Sequence, residues 1–267
     1  MSTEPMYSEE KVINTLDEKY MTKYLFQAQK AEKKELEKVI HDLSKQLGRK
    51  LRILDIGIGN ARIPRILSGI KKKWDLVKEY DGFDNSKEML GRARSTITQY
   101  GLENKVRLFE LDAKNLSQLD KSYDLIICTY FTAGDFSPPN FSFKTGKDGK
   151  LKTSPSLEKN ESFELVFRSA YNLLCEDGKL FLGSVYLDNE STRKKQEEFY
   201  RKCGMTIISR PTDSFTGTKE RFWSQRFTPK RISKYFYWVK PEDMEILPLD
   251  KYDFAATVVV TKKSYSF

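Results

Sequence analysis

Histidine is almost absent from this chain. His41 is the only one, and the cysteines number three, Cys128, Cys175 and Cys203, at wide spacings. This leaves no Cys/His zinc module, and an odd number of scattered thiols argues against a disulfide framework and fits a reducing compartment. Long apolar runs are missing too. No stretch reaches the ~20 residues needed to cross a bilayer, and residues 1–20 are polar and acid-containing, without the apolar centre of an export signal. A soluble, cytoplasmic protein is expected. No Pro/Gly/Ser-rich linker divides the 267 residues, so one large domain with insertions is expected.

The net charge of +9 admits an anionic partner but says nothing about the fold. The basic residues of 30–52, 144–159 and 193–240 are largely interleaved with Glu and Asp, as in KAEKKELEK, which reads as solvated helix faces.

Periodicity organises the chain. Across 17–47, Leu25, Ala28, Leu36, Val39, Ile40, Leu43 and Leu47 recur at threes and fours, which predicts one or two amphipathic helices stopped by Gly48. LRILDIG then reads as a buried strand entering a glycine turn, and 61–70 as a helix with Pro64 in its first turn. Apolar strands follow at 80–83, 106–110, 123–128 and 180–186, alternating with segments of helical composition such as 86–100 and 157–174. That alternation predicts a parallel sheet covered on both faces. Residues 244–247 and 255–262 are joined by LDKYD, too short for a crossover, so they should pair antiparallel. The expected architecture is an α/β, doubly wound, seven-stranded, mostly parallel sheet with a reversed last strand. An amino-terminal helical cap should span 1–50 and the main domain 51–267, with an insertion after the fifth strand at 188–228. Within the insertion, MTIIS and RFWSQRF read as strands after a charged helix. FSPPNFSFKTGKDGKLKTSPS, following the fourth strand, reads as a long mobile loop. Both segments lie beyond carboxyl ends of central strands, where open α/β sheets bind ligands.

Chemistry concentrates at the same strand ends. In ILDIGIGNARIPRIL, Gly57 and Gly59 permit a tight turn and close approach to a ligand, and Asp55 can accept hydrogen bonds from a cationic group. A G-x-G-x-x-G dinucleotide fingerprint would need glycine at Arg62. In YDGFDNSKEML, Asp84 ends the second strand, where a carboxylate can take both hydroxyls of a ribose. Asp112 and Ala113 follow the third strand, where they can bracket an adenine edge, and Thr129, Tyr130 and Phe131 end the fourth.

With these residues in order, the chain resembles the class I S-adenosylmethionine-dependent methyltransferases over 51–186, and more weakly to Lys263. DIGIGN corresponds to that family's acidic-x-Gly-x-Gly loop, DNSKEML to its second strand end and helix, LDA to its adenine motif, and LLCEDGKLFLG to the start of its fifth strand. The resemblance implies S-adenosylmethionine as cofactor. Asp55, Gly57 and Gly59, with Asn60 of the same loop, would hold its methionine end. Asp84 would take the ribose, Asn85 with Asp112 and Ala113 the adenine side, and Thr129 and Tyr130 the sulfonium. The chain departs from the family pattern at Ala61, where a third glycine is common, and at Glu176-Asp177-Gly178, where a Gly-Gly pair is commoner.

The Asn-Pro-Pro-Tyr signature of amino-purine methylation is absent; Thr129-Tyr130-Phe131-Thr132 stands there. Cys128, last in an apolar strand, reads as core and not as a nucleophile, and His41 has no partner acid or second histidine nearby. The expected reaction is direct in-line methyl transfer, without metal, to a small molecule bearing an anionic group. Tyr130, Asp135, Arg221 and Arg226 are the acceptor contacts and Tyr7, Tyr20 and Tyr24 the gating residues. Three rivals remain at this stage: an RNA methyltransferase using RFWSQRFTPKRISKYFYW, a non-catalytic cofactor-binding protein, and an aminopropyl transferase, whose acid after the fourth strand has no clear counterpart.

Overall fold

The computed structural model describes Tyr7, residues 9–249 and residues 253–263. Asp250, Lys251 and Tyr252 of the LDKYD connection lie outside the described residues, as do residues 1–6 of the expected cap. The strands are β1 (Leu51–Ile56), β2 (Val77–Asp84), β3 (Val106–Glu110), β4 (Tyr123–Cys128), β5 (Leu174–Leu187), β6 (Phe215–Gly217), β7 (Trp223–Phe227), β8 (Met244–Pro248) and β9 (Ala255–Thr261). The helices are α1 (Glu10–Ile13), α2 (Lys23–Leu47), α3 (Arg62–Ser68), α4 (Lys71–Trp74), α5 (Lys87–Gln99), α6 (Glu161–Asn172), α7 (Glu190–Lys202) and α8 (Pro229–Tyr235).

Local chemistry sets the helix ends. The Thr22, Ser86, Asn160, Asn189 and Thr228 side chains each accept a backbone N–H from the first turn of the helix that follows. The amino-terminal periodicity becomes one uninterrupted helix, α2, closed by Gly48 at φ +63°. Its buried stripe is Leu25, Ala28, Glu32, Leu36, Ile40 and Leu43, so a carboxylate occupies a seat that the spacing reserves for an apolar side chain.

The sheet runs β3-β2-β1-β4-β5 in parallel. β9 lies antiparallel along Lys179 to Tyr186 of β5, and β8 lies antiparallel to β9, which makes the seven-stranded sheet with its reversed last strand. β5 outruns β4 at its carboxyl end, where the β4 pairing stops at Leu182 while the β9 pairing continues to Tyr186. There Tyr186 and Leu187 pair in parallel with Arg226 and Phe227 of β7, which forms a hairpin with β6. The sheet therefore forks at the end that carries the site.

Period-two alternation along β1 and β4 divides the core. Ile53, Leu125 and Ile127 face one layer with Leu36 and Ile40 of α2, while Leu54 and Ile126 face the other with Phe163 and Phe167 of α6. A third cluster joins Val12, Leu25 and Phe131 to Tyr186, Tyr200 and Phe222, packing the amino-terminal segment on the insertion.

Two local expectations are corrected. MTIIS is no strand; Ile207 makes a single isolated bridge to Thr218. RFWSQRF does contain the expected strand, and all five residues of β7 are buried because it extends the main sheet. The segment 136–156 is no free loop. Leu151 is fully buried with Ile208, Phe215 and Trp223, and Phe141 and Phe143 pack on them, so its scattered apolar residues fasten it to the hairpin. Among the described residues no helix is long and apolar enough to cross a membrane.

Candidate active site

A cavity of about 450 Å³ opens at the carboxyl ends of β1, β2 and β4. Its floor is the glycine turn. The N–H groups of Gly57 and Ile58 both donate to Phe83 O at 3.0 Å, fastening the loop to the end of β2. Gly57 and Gly59 sit at φ +72° and +56°, conformations that glycine adopts without cost. A Cβ on Gly59 would meet nothing nearer than Gly57 O at 4.0 Å, so that face is open. A Cβ on Gly57 would instead strike Thr132 Cγ2 at 2.9 Å. The loop forms a cradle that is open on its Gly59 face and that a side chain at Gly59 would enter.

Asp84 stands beside the cradle, 8 % exposed. Its Oδ2 accepts the Gly59 N–H at 3.1 Å and its Oδ1 the Ser86 N–H at 2.9 Å. Burial raises its pKa, and backbone hydrogen bonds from Ser86, Gly59 and Asn85 oppose the rise. Each oxygen keeps lone pairs for a ligand hydroxyl. Asp81, three residues earlier, belongs elsewhere. Burial alone would lift its pKa, but hydrogen bonds from Lys121, Arg107 and Tyr123 outweigh this and hold it below the usual carboxylate value.

Of the residues expected at the cofactor, Gly57, Gly59, Asn60, Asp84, Asn85, Asp112, Ala113, Thr129 and Tyr130 all border the cavity. Asp55 does not. It is 1 % exposed, its Oδ2 accepts the Tyr80 hydroxyl at 2.5 Å, and its Oδ1 has no partner among the described residues. Strand alternation turns it into the layer beneath α2, where burial pushes its pKa up to about 7, although the Tyr80 hydrogen bond and the Arg62 charge oppose the shift.

Beyond Thr129 the cavity continues under a roof. Tyr7 and Glu9 come from the amino-terminal segment, Phe136, Phe141 and Phe143 from the loop after β4, and Glu220, Arg221 and Trp223 from the hairpin. Asp135 lies at this end. Its Oδ2 accepts the Tyr7 hydroxyl at 3.4 Å, and burial pushes its pKa well above the usual carboxylate range although hydrogen bonds from the Ser224 and Tyr7 side chains oppose the rise. Tyr130 and Phe131 take successive left-handed conformations, φ +55° and +65°. The Tyr130 hydroxyl donates to Thr15 O at 2.7 Å, one of the contacts that secure this bend. Of the three tyrosines expected to gate the site, Tyr7 alone borders the cavity; Tyr20 and Tyr24 pack in the third core cluster.

Arg226 is a second correction. It is 1 % exposed and away from the cavity wall, held by Gln196 Oε1 at 2.6 Å, Thr216 Oγ1 at 2.8 Å, the carbonyl of Asp213 and the carboxylate of Asp188. Parallel pairing of β7 with β5 directs this side chain toward α7. Cys128 is buried with its thiol pKa raised by desolvation, and His41 is exposed, so neither serves the site. Among the described residues no cluster of three metal-ligating side chains occurs.

The sequence reading placed Trp223 of the insertion at the acceptor but missed Glu32, Arg62, Thr132 and the walls formed by Phe136, Phe141 and Phe143. Glu32 alone left a signal, as the charged residue on the buried stripe of α2.

Residues 53–142 match a family model described as a methyltransferase domain. Comparison with curated protein sequences returned no match. Among solved structures, the chain is similar to an S-adenosylmethionine-dependent methyltransferase from Clostridium acetobutylicum, with TM-score 0.55 and 16 % identity over 86 % of this chain and 92 % of that one. It is similar to the PH0226 protein of Pyrococcus horikoshii, with TM-score 0.56 and 16 % identity over 86 % and 90 % of the two chains. CalS10, an amino pentose methyltransferase from Micromonospora echinaspora, aligns with TM-score 0.51 and 13 % identity over 87 % and 92 %. Residues 53–142 thus match a methyltransferase domain, and the chain shares the fold of these S-adenosylmethionine-dependent methyltransferase structures.

Proposed function

We propose that this protein transfers a methyl group from S-adenosylmethionine to a small acceptor held in the roofed end of the cavity. In this reading 1–50 acts as a cap and 188–228 as part of the acceptor cover. The observation that carries the reading is the composition of that end: Phe136, Phe141, Phe143 and Trp223 wall it, and Arg221 is the one cation among the described residues that line it. A phosphate backbone would find little positive charge there, which disfavours RNA. The expectation of an anionic acceptor rested on Arg221 and Arg226, and Arg226 is committed to Gln196, Thr216 and Asp188. A planar acceptor, neutral or cationic and bearing an N–H or O–H group, suits these walls better.

Gly57, Gly59 and Asn60 would cradle the methionine end, Asp84 would accept the ribose hydroxyls, and Asn85, Asp112 and Ala113 would border the adenine. Thr129 and Tyr130 would flank the sulfur. The bound cofactor supplies an electrophilic methyl, so the chain's task is mainly alignment and exclusion of water. The aromatic walls would orient the acceptor's lone pair. Asp135 would hydrogen-bond the acceptor heteroatom and, when ionised, take the proton released on transfer. Arg221, at the rim, would contact the acceptor's outer edge.

Labelled S-adenosylmethionine incubated with a fractionated cell extract tests this. Label should enter the low-molecular-mass fraction. Asp135→Asn should reduce that transfer about 10²-fold or more while leaving affinity for S-adenosylhomocysteine unchanged. Label confined to RNA would overturn the reading.

A further inference from the structure

We infer that Arg62 holds the carboxylate of the cofactor's methionyl group and that Glu32 is the positioning residue that aims it. The inference rests on the cofactor reading above. With Asp55 turned away beneath α2, the charged side chains beside the glycine cradle on the cavity wall are the Asp84 carboxylate, bound to the Gly59 N–H, and one cation. Of the three cations that border the cavity, Lys114 follows the adenine-side residues and Arg221 belongs to the hairpin, so Arg62 alone adjoins the loop. Any α-amino acid moiety lying along Gly57 and Gly59 presents a carboxylate there, and a guanidinium fork is the side chain best matched to it.

The guanidinium is held from behind. Glu32 is fully buried; its Oε1 pairs with Arg62 Nη2, and its Oε2 accepts the N–H of Tyr130 at 2.9 Å and that of Ser184 at 2.6 Å. A Cβ on Gly183 would collide with that same Oε2, so β5 admits the carboxylate only because glycine stands there. One residue of α2 thus joins the ends of β4 and β5 to the first residue of α3. On its other side, the guanidinium carbon of Arg62 lies 5.3 Å from the centre of the Tyr130 ring. Among the described residues no hydrogen bond engages its Nε or Nη1, so one edge is pinned and the rest of the fork is available. The arrangement also explains how a buried glutamate is tolerated, since Arg62 supplies its counter-charge.

Two ligands that differ only at this end separate the possibilities. S-adenosylhomocysteine carries the amino-acid group, whereas 5′-methylthioadenosine keeps the adenosine and the thioether and lacks it. Titration calorimetry of the full chain should show a clear preference for S-adenosylhomocysteine. Removing Arg62 alone strands the Glu32 charge and risks the fold, so the test uses the Arg62→Ala/Glu32→Gln pair and, separately, Arg62→Lys and Glu32→Gln. The double variant should bind S-adenosylhomocysteine about ten- to hundredfold more weakly and 5′-methylthioadenosine as before. Arg62→Lys should fall between, and Glu32→Gln should lose part of the preference without changing 5′-methylthioadenosine affinity. A folded double variant that keeps the full preference, or that weakens both ligands equally, would refute the carboxylate assignment and leave the cofactor reading standing. Failure of the unmodified protein to bind S-adenosylhomocysteine would remove the cofactor reading itself.

Discussion

Gly59→Ala separates cofactor space from fold stability. The added Cβ meets no atom closer than 4.0 Å, and its direction is the open cavity, so the folded chain need not shift. Two backbone effects oppose one another. At φ +56° an L-residue costs about 1–2 kcal/mol, while replacing glycine by alanine stiffens the unfolded chain by about 0.4–1 kcal/mol. The net stability loss should therefore stay near 1 kcal/mol, which for a chain of this size is a Tm decrease of roughly 2–4 °C. Binding should suffer more. A methyl group inserted into a filled site costs about 1–3 kcal/mol, a roughly 5- to 150-fold weaker Kd for S-adenosylhomocysteine. Gly57→Ala should behave differently. Its Cβ meets the Thr132 methyl at 2.9 Å, so the damage begins in the protein. Thr132→Ser, which removes that methyl, should recover part of the lost stability in a Gly57→Ala background. Calorimetry beside thermal melts reads both quantities. Unchanged S-adenosylhomocysteine affinity in folded Gly59→Ala would mean that the cradle does not hold the cofactor.

Further substitutions distinguish ligand contacts from supports. Asp84→Ala should weaken S-adenosylhomocysteine binding by about 1.5–3 kcal/mol, whereas Asp81→Ala should leave binding intact and lower stability by about 1–3 kcal/mol, since it strips the shared acceptor from Arg107, Lys121 and Tyr123; equal binding losses at both would contradict the geometry. Asp55, with a folded pKa of about 7 against ~3.9 unfolded, binds its proton more tightly in the native state. Its contribution is full below pH ~4 and declines as pH rises to about 7. Asp55→Asn should accordingly remove about 2–3 kcal/mol of stability difference between pH 5 and pH 8 in urea unfolding, and an unaltered slope would rule this out. Arg226→Ala should cost about 3–5 kcal/mol by leaving Gln196, Thr216 and Asp188 without their partner. Its S-adenosylhomocysteine affinity below the melting transition should match that of the unmodified chain, and a selective loss of binding would return Arg226 to the site.

The alternation of strands and helices, the glycine turn and the acids closing β2 and β3 were legible from the chain alone, because each depends on neighbours within a few residues. Spacing set the strand limits of 106–110 and 123–128, and Gly48 ended α2 where a left-handed residue was needed. Side-chain direction was not legible at Asp55, since the same carboxylate sits one residue from the ligand loop whichever way the strand faces; the pairing of β1 with β2 decided it. Arg226 shows the same limit, because its alternation with Trp223 and Phe227 fits a surface strand or a buried one, and only the parallel docking of β7 on β5 chose between them. Glu32 marks the farthest reach of tertiary structure. Its place on an apolar stripe could be counted in the sequence, but its partners stand 30, 98 and 152 residues away, at Arg62, Tyr130 and Ser184, and only folding brings those three strand and helix ends to a single carboxylate.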